Sequence, residues 1–197
     1  MHSAGRVRLL IVPGLHGSGP DHWQSRLQAR SPGALRVEQA DWSVADMARW
    51  SARIEAALAS DQRAQWIAVA HSFGCLALAH HGLLAVGRSR LRGALLVAPA
   101  DPRRFGCEDQ LPAGALPFPS LLVGSRNDPW LRFEDARGFA RRWGSGFIDL
   151  GAAGHVNPAS GYGAWPGIAR LVERERQRLA ALERPQRASA LEWDFAV

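Results

Sequence analysis

The sequence predicts an α/β fold: one mostly parallel sheet of about six strands, with helices packed on both faces. Three observations predict it. Short β-branched or leucine-rich runs recur, each ending at glycine or a polar turn. Longer segments with helical spacing lie between them. Runs such as 94–98 and 121–123 are apolar without alternation, as expected of strands covered on both sides.

In chain order, the first strand is expected over 7–12 and the second over 35–38. Residues 45–59 place Met47, Trp50, Ile54 and Leu58 on one helical face, with Asp41 or Ser43 available to cap the start. The third strand is 66–70. Residues 73–84 are apolar nearly all round, which suits a buried helix. Strands follow at 94–98 and 120–123, an amphipathic helix at 131–143 and a last strand at 147–150. The final helix, 164–182, is amphipathic through Ile168, Leu171, Val172, Leu179 and Leu182, and Pro185 ends it. No repeat or low-complexity linker interrupts the series, so 1–186 read as one domain. Residues 187–197 form a tail in which Leu191, Trp193, Phe195 and Val197 alternate with Glu192, Asp194 and Ala196. That period of two fits a frayed terminus, or a strand added to a sheet edge of this chain or of a second copy in a homodimer.

Composition removes several chemistries. The 197 residues include no lysine, so all 24 cations are arginine, against 18 acidic residues. A Schiff-base lysine, a P-loop lysine and a Ser-Lys dyad are thereby excluded. The net charge of +6 does not point to nucleic acid, because the arginines are spread along the chain. The densest set, from Arg170 to Arg187, alternates with Glu173, Glu175 and Glu183 as on a solvated helix face. Two cysteines make no disulfide framework. No signal peptide is recognisable and no apolar run has the ~18 residues of a membrane span. The expectation is a cytoplasmic protein with no membrane or nucleic-acid partner.

In a parallel sheet the functional groups belong at the carboxyl ends of the strands. After 66–70 comes His71-Ser72-Phe73-Gly74-Cys75, running straight into the buried helix. A serine there, with glycine two residues on, has the form of a nucleophile elbow, although Ala70 takes the place of the first glycine. Read alone, the same residues make an ordinary polar turn with a serine cap. After 120–123 comes Asp128, which is either a triad acid or a helix cap. After 147–150 comes His155 in a loop of small residues. The order Ser72, Asp128, His155 is the one in which an α/β-hydrolase presents its triad. After the first strand, residues 13–23 are rich in glycine. That loop suits an oxyanion hole, pairing the N–H of Phe73 with that of Leu15 or His16. His22, Trp23, Trp42 and Trp130 are candidates for the wall of a substrate pocket. His71, His80, His81 and Cys75 read as structural residues, Cys107 as a loop thiol, and no residue set has metal-ligand spacing.

Residues 13–23, 70–75, the Asp128 loop and Gly154-His155 together resemble the small α/β-hydrolase family of bacterial YdeN-type proteins and the retinoblastoma-binding serine hydrolase of animals. The resemblance covers about 7–183 and leaves the tail out. It implies a compact hydrolase with no lid domain and with Ser72, Asp128 and His155 as its triad. The expected reaction is hydrolysis of a small-molecule ester or thioester, or of an amide, through an acyl-serine, with no cofactor. Two rivals stand beside it. One is a protein-binding scaffold on a hydrolase fold with little turnover. The other is a nucleotide-binding α/β protein using Gly14–Gly19.

Overall fold

The computed structural model describes residues 7–87 and 89–182. Six strands form one sheet: β1 (Val7–Val12), β2 (Leu35–Arg36), β3 (Gln65–Ser72), β4 (Leu91–Pro99), β5 (Ser120–Gly124) and β6 (Gly146–Asp149). Their order is β2-β1-β3-β4-β5-β6, and every pairing is parallel. Parallel neighbours need crossovers, which α1 (Trp23–Ala29), α2 (Met47–Ala59), α3 (Phe73–Leu84) and α4 (Phe133–Trp143) supply; α5 (Pro166–Leu182) follows the last strand.

The side-chain period of two divides each strand between two cores. Leu10, Val12, Ala68 and Leu96 meet Trp50 and Ile54 of α2, Leu76 of α3 and Ala140 of α4. Leu9, Ile11, Val69 and Leu95 meet Trp23 and Leu27 of α1 and Ile168 and Val172 of α5. Each fully buried leucine or isoleucine in these layers contributes about 2 kcal/mol. Because the order reverses between β1 and β3, the loops leaving these strands part to opposite faces. A crevice opens at their carboxyl ends.

Three local features differ from expectation. Helix α1 was not among the expected elements: it has only seven residues, and its cap is His22, whose Nδ1 accepts the Gln24 N–H. Helix α2 is capped by Asp46, not by Asp41 or Ser43; Asp41 instead accepts the Ser43 N–H in a preceding turn. Cys107 does lie in a loop, but it is buried there, its Sγ facing the Pro102 carbonyl. Among the described residues no helix is long and apolar enough to cross a membrane. The alternating segment 191–197 lies outside the described residues.

Candidate active site

Strand β3 ends in Ser72, and α3 begins at the next residue. That leaves no room for a loop, so Ser72 must make the whole reversal. Its φ of 54° and ψ of −126° lie where a side chain is rarely tolerated. Small neighbours make the turn feasible. A Cβ on Gly74 would stand 2.3 Å from the Pro13 carbonyl oxygen, and one on Gly14 would stand 2.8 Å from the Ser72 Cβ. The Ser72 hydroxyl does not cap the helix behind it. It lies 2.9 Å from His155 Nε2.

The imidazole is held from its other side. His155 Nδ1 lies 2.9 and 3.0 Å from the two oxygens of Asp128. A carboxylate accepts, so Nδ1 carries the proton and Nε2 is left to accept from the Ser72 hydroxyl. Asp128 Oδ1 also takes the Trp130 N–H at 2.8 Å. Both side chains are nearly dry, at 8% and 3% exposed for His155 and Asp128. The structure thus brings together Ser72, Asp128 and His155.

The Asp128 and His155 loops come from adjacent strands and are stitched to each other. Asn127 Oδ1 accepts the Gly154 N–H at 2.7 Å, Ser125 Oγ accepts the Ala153 N–H at 3.0 Å, and Arg126 N–H reaches the Gly151 carbonyl at 2.8 Å. The Arg126 guanidinium also binds Asp149 and, with the Gly151 N–H, holds that carboxyl below its usual range. Sequence reasoning overlooked Ser125, Arg126 and Asn127. Their density of short polar side chains beside Asp128 was the available signal.

Phe73 opens α3, so its N–H has no intrahelical acceptor. Leu15 N–H makes no hydrogen bond within the described residues. His16 is different: its N–H donates to the Trp42 carbonyl at 2.9 Å. Of the two alternatives for the second oxyanion donor, only Leu15 is therefore open. His16 and Gly17 both take positive φ, and this turn presents Leu15.

A cavity of about 400 Å³ opens over Ser72, and its lining includes Leu15, His22, Phe105, Trp130, His155 and Pro158. Of the four candidate wall residues, His22 and Trp130 line this cavity, whereas Trp23 and Trp42 do not. Trp23 is buried between the sheet and α5, with its indole N–H on the Val156 carbonyl at 2.7 Å. Trp42 stacks edge-on against Trp50 beneath Gly17. Trp130 stands 5.9 Å from the His155 ring and carries the Arg104 guanidinium on its own ring at 4.8 Å.

Two more histidines crowd the base. Burial pushes His71 well below its ordinary pKa. Burial, with lesser help from Arg36 and His155, brings His22 down to about 4. Both are neutral near pH 7. Gln24 lies buried beneath them. Its amide donates to the Val12 and Val69 carbonyls at 3.1 and 2.9 Å and accepts from Ser18 Oγ at 2.6 Å. It therefore ties the glycine-rich loop to the ends of β1 and β3. Among the described residues no group of three His, Cys, Asp or Glu could hold a metal ion.

The arrangement can activate a hydroxyl and stabilise an oxyanion, and comparison with known proteins agrees in kind. The profile of the family described as serine hydrolase matches residues 9–174. A YdeN-like hydrolase from Pectobacterium atrosepticum is 38% identical, with a TM-score of 0.81 over 87% of this chain and 91% of that one. The ydeN gene product of B. subtilis has a TM-score of 0.69 at 17% identity, covering 87% of this chain and 99% of its own. Acyl-protein thioesterase 2 of Zea mays has a TM-score of 0.58 at 12% identity, covering 90% and 96%. These show the α/β-hydrolase fold. No curated protein matches the chain significantly.

Proposed function

The chain belongs to the serine hydrolase family and is a hydrolase; on that premise we propose that it cleaves a small ester or thioester through an acyl-enzyme on Ser72. The observation that carries this reading is the unbroken line Ser72 Oγ, His155 Nε2, His155 Nδ1, Asp128 behind a strained elbow. Ser72 Oγ attacks the substrate carbonyl as its proton passes to His155 Nε2. Asp128 stabilises the imidazolium that results. The oxygen gains negative charge between the N–H groups of Phe73 and Leu15, each donor being worth on the order of 3 kcal/mol. His155 then returns the proton to the leaving alcohol or thiol, which departs. Water enters, gives its proton to His155, and hydrolyses the acyl-serine by the same steps in reverse.

The largely apolar wall of Leu15, Phe105, Trp130 and Pro158 favours an uncharged, apolar acyl group. Likeness to an acyl-protein thioesterase supports keeping thioesters in the class. An amide demands more of His155 as an acid, because its leaving group is poorer. The test is labelling by a fluorophosphonate, with Ser72→Ala as control, followed by turnover of short p-nitrophenyl esters and thioesters. A well-folded wild type that takes up no label would refute the assignment. Labelling without turnover would favour the scaffold reading, in which the site is kept but the work is binding.

A further inference from the structure

His155 is held at its ring by Asp128, and its backbone is held as well. The His71 ring lies 4.9 Å from the His155 ring, and its Nε2 lies 2.9 Å from the His155 carbonyl oxygen. A carbonyl only accepts, so His71 carries its proton on Nε2 and donates it there. The next carbonyl, that of Val156, accepts the Trp23 indole N–H at 2.7 Å. Two successive carbonyls of the histidine loop are therefore gripped by two buried donors. The two donors touch each other, with Trp23 perpendicular to His71 at 5.8 Å.

The gripped segment is under strain. Val156 is fully buried with a φ of 49°, an unusual conformation for a β-branched residue. Such a conformation persists only where its surroundings over-determine it. The donors are well anchored. His71 belongs to β3 and directly precedes Ser72, while Trp23 opens α1, whose next residue, Gln24, is tied to the ends of β1 and β3. The strand that carries the serine thus also fixes the backbone of its base.

Building on the triad reading above, we propose that His71, seconded by Trp23, is a positioning residue that sets the Ser72–His155 distance by clamping the histidine loop. His71 borders the cavity and packs against the His155 ring, but neither side chain hydrogen-bonds Ser72 Oγ or His155 Nε2. Their effect reaches the chemistry through His155, where a displacement of about 1 Å costs on the order of 10²-fold in rate.

The test uses purified full-length protein, a p-nitrophenyl ester, and His71→Leu, His71→Gln, Trp23→Phe and His155→Ala. Gln can present an N–H near the place of Nε2; Leu cannot. His71→Leu is expected to lose on the order of 10²-fold in kcat with KM changed less than about threefold. It should also lose or shift the low-field proton resonance of the His155–Asp128 hydrogen bond. His71→Gln should recover most of kcat and that resonance, and Trp23→Phe should show a smaller loss of the same kind. A folded His71→Leu within about twofold of wild type, or a loss that Gln leaves unchanged, overturns the proposal. Should His71→Leu fail to fold, Trp23→Phe decides, and wild-type kcat there overturns it. His155→Ala separates the two readings. If it retains full activity, the triad is wrong; if it is inactive while the clamp variants match wild type, only the clamp is wrong.

Discussion

Among the described residues two serine–histidine pairs stand out, and the one expected to be inert is the shorter. Ser51 Oγ of α2 stands 2.6 Å from His80 Nδ1 of α3, against 2.9 Å for Ser72 and His155. His80 also bonds the Met47 backbone, and the Ser51 hydroxyl has two partners, His80 Nδ1 and the Ala77 carbonyl at 3.4 Å. What differs is the setting. Ser51 sits mid-helix and fully buried, whereas Ser72 is held in a strained elbow at the floor of a cavity. His80 has a backbone partner where His155 has a carboxylate. The open N–H groups of Phe73 and Leu15 belong to the Ser72 site, at the start of α3 and in the loop after β1. In the proposed mechanism, proximity of nucleophile and base is therefore not the source of reactivity. Space for a carbonyl, donors for its oxygen and a charge behind the base supply it.

The sharpest way to break this contrast is to remove each serine. Ser72→Ala should lower kcat on the order of 10⁶-fold, and mass spectrometry of the labelled wild type should place the fluorophosphonate on Ser72 alone. An adduct on Ser51 would end the comparison. Next in size is Asp128→Asn, expected to cost about 10⁴-fold with Tm nearly unchanged. A residual rate near wild type would show that the carboxylate behind the base is not what separates the pairs. Ser51→Ala should leave kcat within about twofold. It should cost about 1–2 kcal/mol in urea unfolding, because the His80 ring is left buried without that partner.

The last effect, on stability and not on rate, concerns pH. His22 has a folded pKa of about 4 against 6.5 when unfolded, so below pH 6.5 the unfolded chain takes up a proton that the folded chain refuses. Stability is fully present above pH 6.5 and is lost as pH falls from 6.5 toward 4. The slope from one such group is at most about 1.4 kcal/mol per pH unit. His71, His80 and His81 are lowered mainly by burial and add the same sign. His22→Asn keeps a capping side chain for α1 and should flatten the dependence. Equal slopes for variant and wild type in unfolding at pH 5 and 7 would place the effect elsewhere.

The residues that could be read from sequence were those whose roles are local. Phe73–Leu84 emerged with its bounds because it is apolar nearly all round and follows Ser72 without a break. Asp128 and His155 stood out because each follows a strand end in a loop of small or polar residues. What escaped depends on pairings across the fold. Nothing near His16 announces that Trp42 will take its N–H, and nothing near Trp23 announces that its indole will reach Val156. Helix α1 escaped because a histidine ring does the work usually given to serine or aspartate, over only seven residues. His71 reads as structural in the sequence, and its bond to the His155 backbone could not be seen without the second loop.

Leu15 comes from the loop after β1, Phe105 from a short turn after β4, and Trp130 and Pro158 from the loops after β5 and β6. Ser72 and His71, by contrast, belong to β3 itself, and Gly74 is locked against Pro13. The molecule is thus divided between parts that can be exchanged and parts that cannot. If the proposed function holds, four independent loops can change length or lining, and with them the substrates admitted, while the seam between β1 and α3 tolerates no added atom. Selection for a new substrate, in nature or in the laboratory, should therefore accumulate changes around Phe105, Trp130 and Pro158 and leave Gly14 and Gly74 untouched.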